Sequence, residues 1–256
     1  MKYNSSAKTS SLNKPLLVAH RGFAKNYPEN SLSAFSAAIK CGGKYLELDV
    51  QLTNDHVPCV IHDETLLRTG GIDKPILDLD WESLEGSAIG EDDRLGGKFP
   101  TERLTSLTDF VTFLHKNEDV HAFVEIKEES ISRFGCDVVI ENVLRELMLV
   151  KAQCSIISFD VTVLAKLKEK SNIPIGFVVH AYDDVHHKLA NELMPSFIIC
   201  NYKKIPDEEN ALWPGEWDWM LYEITDPDIA FKWFVRGVKY IETMEFSTMM
   251  TAINEK

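Results

Sequence analysis

The stretch from Leu46 to Asp63 reads LELDVQLTNDHVPCVIHD. It holds two short apolar runs, each with charge at alternate positions, joined by Asn54-Asp55. An Asn-Asp pair between two β-like runs predicts a hairpin. With those two residues as the loop, Thr53 faces His56 and Glu47 faces His62. Asp49 then lies two residues along on the face of Glu47, because side chains alternate with period two. Two carboxylates and an imidazole meet on one small patch.

The same hairpin decides the fold. Nine runs read as strands: Leu16–Ala19, Tyr45–Thr53, Pro58–His62, His121–Lys127, Cys154–Phe159, Ile173–His180, Phe197–Tyr202, Trp219–Ile224 and Lys239–Thr243. Between Thr53 and Pro58 there is no room for a crossover helix, and parallel neighbours need a connection of about a dozen residues or more. Setting Pro58–His62 aside leaves eight strands in alternation with helical patterns. That count and length fit a (β/α)8 barrel. An open doubly wound sheet is the alternative, but no glycine-rich phosphate fingerprint follows the first strand.

The helical patterns are Ser31–Cys41, Leu107–His115, Val138–Val150, Val161–Lys170, Val185–Leu193 and Pro227–Val235. Asn30 is the expected N-cap of the first, and Gly42-Gly43 ends it. From Glu64 to about Arg103 the periodicity weakens around Gly70-Gly71, Pro75, Gly96-Gly97 and Pro100, with one short helix near Trp81–Leu84. This stretch reads as an excursion from the barrel, and residues 1–256 as a single domain.

The chain has 256 residues, 45% hydrophobic and 26% charged, with a net charge of −13. No dense cluster of Lys and Arg marks a nucleic-acid face. An anionic substrate would be repelled at long range, so a site for one needs local positive charge or a metal. Residues 1–14 read as a loose polar leader without the apolar core of a secretory signal. No apolar run is long enough for a transmembrane helix, so no stable membrane insertion is expected. Cys41, Cys59, Cys136, Cys154 and Cys200 are scattered and lack zinc-ligand spacing, as expected of thiols in a reducing cytoplasm.

Three strands carry acids and bases near their C-terminal ends, where barrel enzymes place their sites. The first gives His20 and Arg21, the second Glu47 and Asp49, the third Glu125 and Lys127. The pairs Glu47/Asp49 and Glu125/Lys127 are spaced i, i+2, so each points to one face, while Leu46, Leu48, Val124 and Ile126 point toward the covering helices. One reading is a buried ion-pair cluster, which stabilises poorly because desolvation is expensive. The other is a hard cation with oxygen ligands, Mg²⁺ or Ca²⁺. Two histidines, an arginine and a lysine beside such a cation suit phosphoryl chemistry, with one imidazole taking a proton and the other giving one.

His20-Arg21-Gly22, Pro28-Glu29-Asn30-Ser31-Leu32, Glu47-Leu48-Asp49-Val50, His62-Asp63, Glu125-Ile126-Lys127 and Ser158-Phe159 occur in that order. The series resembles the glycerophosphodiester phosphodiesterase family, strongly over residues 16–70, again at 121–127 and 155–160, and less beyond. The resemblance implies a (β/α)8 barrel with a small insertion after the second strand, here about residues 54–105. It implies a hydrolase that uses one divalent cation, Mg²⁺ or Ca²⁺, to split small glycerophosphodiesters into glycerol-3-phosphate and an alcohol. Matched by position, Glu47, Asp49 and Glu125 are its metal ligands, His20 and His62 its acid and base, and Arg21 and Lys127 its phosphate-holding residues. The family's Trp-Thr-Val-Asn on the seventh strand is here Tyr222-Glu223-Ile224-Thr225, where Tyr222 keeps an aromatic surface for a glycerol backbone. Its Thr-Asp-x-Pro on the eighth is here Glu242-Thr243-Met244-Glu245.

Two rival readings keep the same barrel. A phosphodiesterase for lysophospholipids or phosphoinositides needs an apolar mouth, for which Trp213, Trp217 and Trp219 are the one candidate lip, though core packing is the better default for them. A non-catalytic phosphate binder needs a lost ligand or histidine, and none is lost. His180 and His186-His187 read as capping or solvated residues, Glu91-Asp92-Asp93 as a solvated acidic run, and Cys59 as a buried thiol without chemistry.

Overall fold

The computed structural model describes residues 13–208 and 211–255. Of the expected polar leader, residues 1–12 lie outside that range. The strands in chain order are β1 (Leu16–Ala19), β2 (Tyr45–Leu52), β3 (Pro58–Val60), β4 (Thr65–Leu66), β5 (Ile72–Pro75), β6 (Thr105–Ser106), β7 (His121–Ile126), β8 (Cys154–Ser158), β9 (Ile175–Val178), β10 (Phe197–Asn201), β11 (Asp218–Tyr222) and β12 (Val238–Thr243). β1, β2 and β7 to β12 pair in parallel, each with the next. β12 returns to β1 in the register Leu16↔Tyr240 to Ala19↔Thr243, which closes a (β/α)8 barrel.

Alternation along each strand sorts the side chains into two layers. Leu46, Leu48 and Val50 of β2 and Val124 and Ile126 of β7 face outward into a core shared with the helices. Val18, Phe123, Ile157, Val178, Ile199, Met220 and Tyr240 fill the barrel interior. The same rule turns Glu47, Asp49 and Gln51 inward. They stand beyond that apolar plug, toward the C-terminal ends of the strands.

Helices Leu107–His115, Val161–Lys170 and Pro227–Val235 have the bounds their periodicity implies. Glu128–Phe134 and Phe246–Glu255 were not anticipated, although Phe246, Met249 and Ile253 of the latter form a buried stripe at helical spacing. Between β10 and β11 the described residues hold only the 3₁₀ turn Tyr202–Lys204. There Trp213 lies flat between Tyr182, 4.4 Å away, and His187, 4.9 Å away. Trp213, Trp217 and Trp219 all pack into the outer core, so they form no lip at the barrel mouth.

The excursion leaves β2 through a hairpin whose register differs from the expectation. Val50 pairs with Val60 and Leu52 with Pro58, and Thr53 N–H donates to Val57 C=O at 3.0 Å. The loop is therefore Asn54-Asp55-His56, with His56 left-handed at φ 64°. A three-residue loop ending in that conformation is a standard hairpin solution, and Asp55 stabilises it by accepting from Thr53 Oγ1 and from Trp81 N–H. The shift of one residue means that Glu47 and His62 are not cross-strand partners. β3 pairs on its other edge with β6, and Cys59, Ile61, Leu66, Ile76, Leu84, Ile89 and Leu104 make a second small core between β3 and the excursion.

Two further expectations change. Ser31, not Asn30, caps the first helix, its Oγ accepting from Ala34 N–H at 3.1 Å. Asn30 is left-handed at φ 56° and spends its side chain on Asp49 instead. Glu91 is not solvated: it is 2% exposed, and Arg94 binds its carboxylate at 2.6 Å. An acidic run looks uniform in sequence, but only Glu91 of the three turns toward the barrel.

Candidate active site

β1 ends at Ala19, and His20 N–H donates to Thr243 C=O at 3.1 Å, so the loop leaves the barrel pinned to β12. Arg21 turns left-handed at φ 54°. Gly22 follows at φ 79° and lies against the first helix, where a Cβ would stand 2.8 Å from the Ala34 backbone. Only glycine tolerates both the angle and the contact. This tight exit presents His20 and Arg21 to the barrel mouth.

A cavity of about 180 Å³ opens there, lined by His20, Arg21, Asp49, His62, Glu125, Lys127, Tyr222 and Glu242 among others. Glu47 is 2% exposed and lies behind this lining, its Oε2 accepting from Arg21 N–H at 2.9 Å. The sequence-derived residues therefore converge on one place. His62 arrives by a route the register did not foresee. β3 stops at Val60, Ile61 N–H donates to Asp49 C=O at 3.0 Å, and the buried Gln51 amide donates to the carbonyls of His62 and Asp63 at 2.9 and 2.7 Å. Gln51 continues the inward row of Glu47 and Asp49, and it holds His62 over the cavity after the strand has ended.

The charges are tightly interlocked. Arg21 Nε lies 3.2 Å from Asp49, and its Nη1 donates to Glu29 at 3.0 Å. Lys127 Nζ donates to Glu125 at 2.9 Å and lies 3.6 Å from Asp49. Asn30 Nδ2 donates to Asp49 Oδ2 at 2.9 Å, and Asp49 N–H returns to Asn30 Oδ1 at 3.2 Å. Glu29 is also gripped by both terminal nitrogens of Arg68, at 2.8 and 2.7 Å, and Arg68 reaches Asp63 at 2.7 Å. His62 Nδ1 sits 2.7 Å from Asp63. Glu91 accepts from Glu29 N–H at 2.7 Å, so the excursion braces the loop after β1 from above.

Burial disfavours ionisation at every carboxylate here, and the neighbours decide the outcome. Asp49 stays ionised and falls to about 2, because Arg21 and Lys127 outweigh the burial. Glu125 rises to about 7 through burial and the charge of Asp49, despite Lys127. Glu47 rises well above the usual carboxylate range through burial and the charges of Asp49, Glu242 and Glu125. Glu242 is pushed up to about 8 by burial and by Glu125 and Asp49. Burial, with Arg21 beside it, pulls the His20 imidazole down to about 3.

One oxygen each of Glu47, Asp49 and Glu125 lie within 4.8 Å of one another. Two like charges at that distance repel by roughly 3 kcal/mol at an effective dielectric near 20. Asp49 has both Arg21 and Lys127 within 4 Å, whereas Glu125 has Lys127 alone, and the raised pKa values of Glu125 and Glu47 record the shortfall. An all-oxygen set short of positive charge fits a hard divalent cation.

Sequence reasoning missed Gln51 and Arg68, quoted Glu29 and Glu242 without giving them a role, and took Asn30 for a helix cap. Glu242 carried a usable signal, since it occupies an inward position two residues after Tyr240. The remaining candidates are structural. His180 stacks on Phe159 and meets Glu128 at 3.1 Å, and Asp183, the N-cap of its helix, holds His186 at 2.7 Å. Cys59 is wholly buried, and burial pushes its thiol up to about 12. Among the described residues no helix is long and apolar enough to cross a membrane.

Comparison with known proteins gives a consistent result. Residues 20–211 match the model of the glycerophosphoryl diester phosphodiesterase family. A glycerophosphodiester phosphodiesterase of Caldanaerobacter subterraneus is 36% identical over 133 residues, 52% of this chain and 54% of that relative's length. Glycerophosphodiester phosphodiesterase 1 of Mus musculus is 25% identical over 88% of this chain and 70% of its own. A phosphodiesterase of Oleispira antarctica, solved in complex with its product sn-glycerol-3-phosphate, matches with a TM-score of 0.81 over 94% of this chain and 97% of its own. At 21% identity that likeness speaks for the fold.

Proposed function

The chain belongs to the glycerophosphoryl diester phosphodiesterase family, and from that premise we propose that it hydrolyses small glycerophosphodiesters to glycerol-3-phosphate and an alcohol. The observation that carries the reading is the convergence of Glu47, Asp49 and Glu125 with His20, His62, Arg21 and Lys127 around one cavity. Glu47, Asp49 and Glu125 would hold one divalent cation, Mg²⁺ or Ca²⁺, which when bound supplies positive charge to the phosphoryl oxygens. Arg21 and Lys127 answer the need of an acidic chain for local positive charge. Each already spends one or two donors on a carboxylate and keeps others for a phosphate. Their pairing with Asp49, Glu29 and Glu125 fixes where those donors point before substrate arrives, which is where electrostatic catalysis gains most.

His20 and His62 serve as general acid and base. The imidazole of His20 is partly enclosed and neutral, so it can take a proton. His62, 34% exposed and held by Asp63, stands where a proton can be exchanged with the departing alcohol or the entering nucleophile. Ile157, Phe159, Val178 and Ile199 line the other side of the cavity and keep water from the reacting end. A cavity of about 180 Å³ suits a headgroup-sized diester better than a lipid with its acyl chain. The tryptophans that would have favoured a lipid lie in the core. The free cysteines of the described chain accord with a cytoplasmic, reducing setting.

The test is release of glycerol-3-phosphate from glycerophosphodiesters of choline, ethanolamine and glycerol, with EDTA and after adding back Mg²⁺ or Ca²⁺. Release that stops with EDTA and returns with one cation is expected. A folded protein that releases none under any condition would remove the reading.

A further inference from the structure

Glu242 has no place in the seven-residue set, yet its side chain is 5% exposed and turns into the same cavity. It stands where the last strand departs from the family's pattern, so the resemblance gives it no role. Among the described residues no group donates a hydrogen bond to its carboxylate from the backbone. Its one partner within ion-pair reach is His20, whose Nε2 lies 3.3 Å from Oε1. The other ring nitrogen of His20, Nδ1, is buried and without a partner. Glu47 is farther from the ring, at 4.0 Å, and is already engaged by the peptide N–H of Arg21 at 2.9 Å. Glu242 is therefore the contact that can hold the His20 ring.

From this geometry we infer that Glu242 is a positioning residue, which fixes the orientation of the His20 imidazole. The inference rests on the reading of His20 as an acid–base group. An acid or base works only when its ring is aimed at the transferring proton, and such groups are commonly oriented by a third residue. Among the described residues Nδ1 of His20 has no hydrogen-bond partner, and its backbone fixes only the base of the side chain. Without Glu242 the ring is free to turn about its side-chain bonds into the cavity. A displacement of about 1 Å at a reacting group can slow turnover on the order of a hundredfold.

The experiment compares wild type, Glu242→Ala and Glu242→Gln, the same substitutions on a His20→Ala background, and the imidazole ¹⁵N spectrum of His20. Glu242→Ala is expected to lower kcat by roughly ten- to a hundredfold, with KM within about twofold of wild type and divalent-cation binding retained. Glu242→Gln, which keeps a polar side chain of the same length beside Nε2, recovers most of the loss. On the His20→Ala background Glu242→Ala has a much smaller effect on kcat, because the two residues act together. The His20 ¹⁵N signals shift in Glu242→Ala. Unchanged signals, an unchanged kcat, or a loss that appears only as weaker cation binding would each overturn the inference, the last by making Glu242 a cation ligand. If the wild type hydrolyses nothing, the proposed reaction fails, while the ¹⁵N spectra still decide whether Glu242 holds His20.

Discussion

Strands β1, β2, β7 and β12 give the cavity His20, Arg21, Asp49, Glu125, Lys127 and Glu242, with Glu47 behind them, whereas β8, β9 and β10 give it Ile157, Val178 and Ile199. Phe159, Tyr222 and the exposed Glu223 complete the second half. The two halves obey the same strand geometry and differ in what they bury. The first concentrates four inward carboxylates whose mutual repulsion raises three of them, and it is held together by Arg21, Lys127, Asn30 and the bracing excursion. The second is an ordinary continuation of the interior packing. On the proposed reading the contrast is a division of labour: one wall is crowded with charge so as to favour a cation and a phosphate, and the other excludes water and makes every charge opposite it count for more.

The largest effect expected is on the charged wall. Asp49→Ala removes the carboxylate that Arg21, Lys127 and Asn30 all address. Turnover should fall by at least about a thousandfold, measured as glycerol-3-phosphate release. Survival of even a tenth of the activity would mean that the charged wall is not the reacting one. Next come the histidines. His20→Ala and His62→Ala should each lower kcat by about a hundred- to ten-thousandfold while divalent-cation binding persists in calorimetry. Loss of binding together with activity would assign the imidazoles to the cation instead.

The pH dependence sharpens the same comparison. Glu125 sits at about 7 and Glu47 well above the normal range, so below those values a proton occupies the oxygen a cation needs. Cation affinity should weaken as pH falls through 7, by about tenfold per unit for each proton displaced. Binding at pH 7 should release protons, seen as a buffer-dependent heat. An affinity flat between pH 6 and 8 would contradict the crowding of that wall. The smallest effect belongs to the apolar wall: Phe159→Ala should raise KM by about three- to tenfold with kcat nearly unchanged, as expected for roughly 1 kcal/mol of lost apolar burial. A collapse of kcat instead would show that the walls are not separable.

Much of the charged wall could be read from sequence, because strand alternation places i, i+2 pairs such as Glu47/Asp49 and Glu125/Lys127 on one face and the barrel collects strand ends in one plane. The alternating strands and helices likewise declared the (β/α)8 fold. His62 was right in place but wrong in route. A third loop residue, His56 in a left-handed turn, shifts the hairpin by one, and only the buried amide of Gln51 brings His62 back over the mouth. Glu91 and Arg68 were illegible for a different reason. Their partner Glu29 lies 62 and 39 residues away, and no local period encodes a contact between a loop and an excursion. Glu242 was visible as a charge two residues after the inward Tyr240, but its meaning depends on His20 of the opposite chain end meeting it across the β1–β12 seam.

Calorimetric titration of Mg²⁺ and Ca²⁺ into the substrate-free protein, beside Glu47→Gln, Asp49→Asn and Glu125→Gln, tests the central claim most directly. The account predicts one divalent ion bound per chain by the wild type and a loss of that binding in each variant, with the fold retained. A wild type that binds neither cation, or variants that bind as well as it does, would contradict the account.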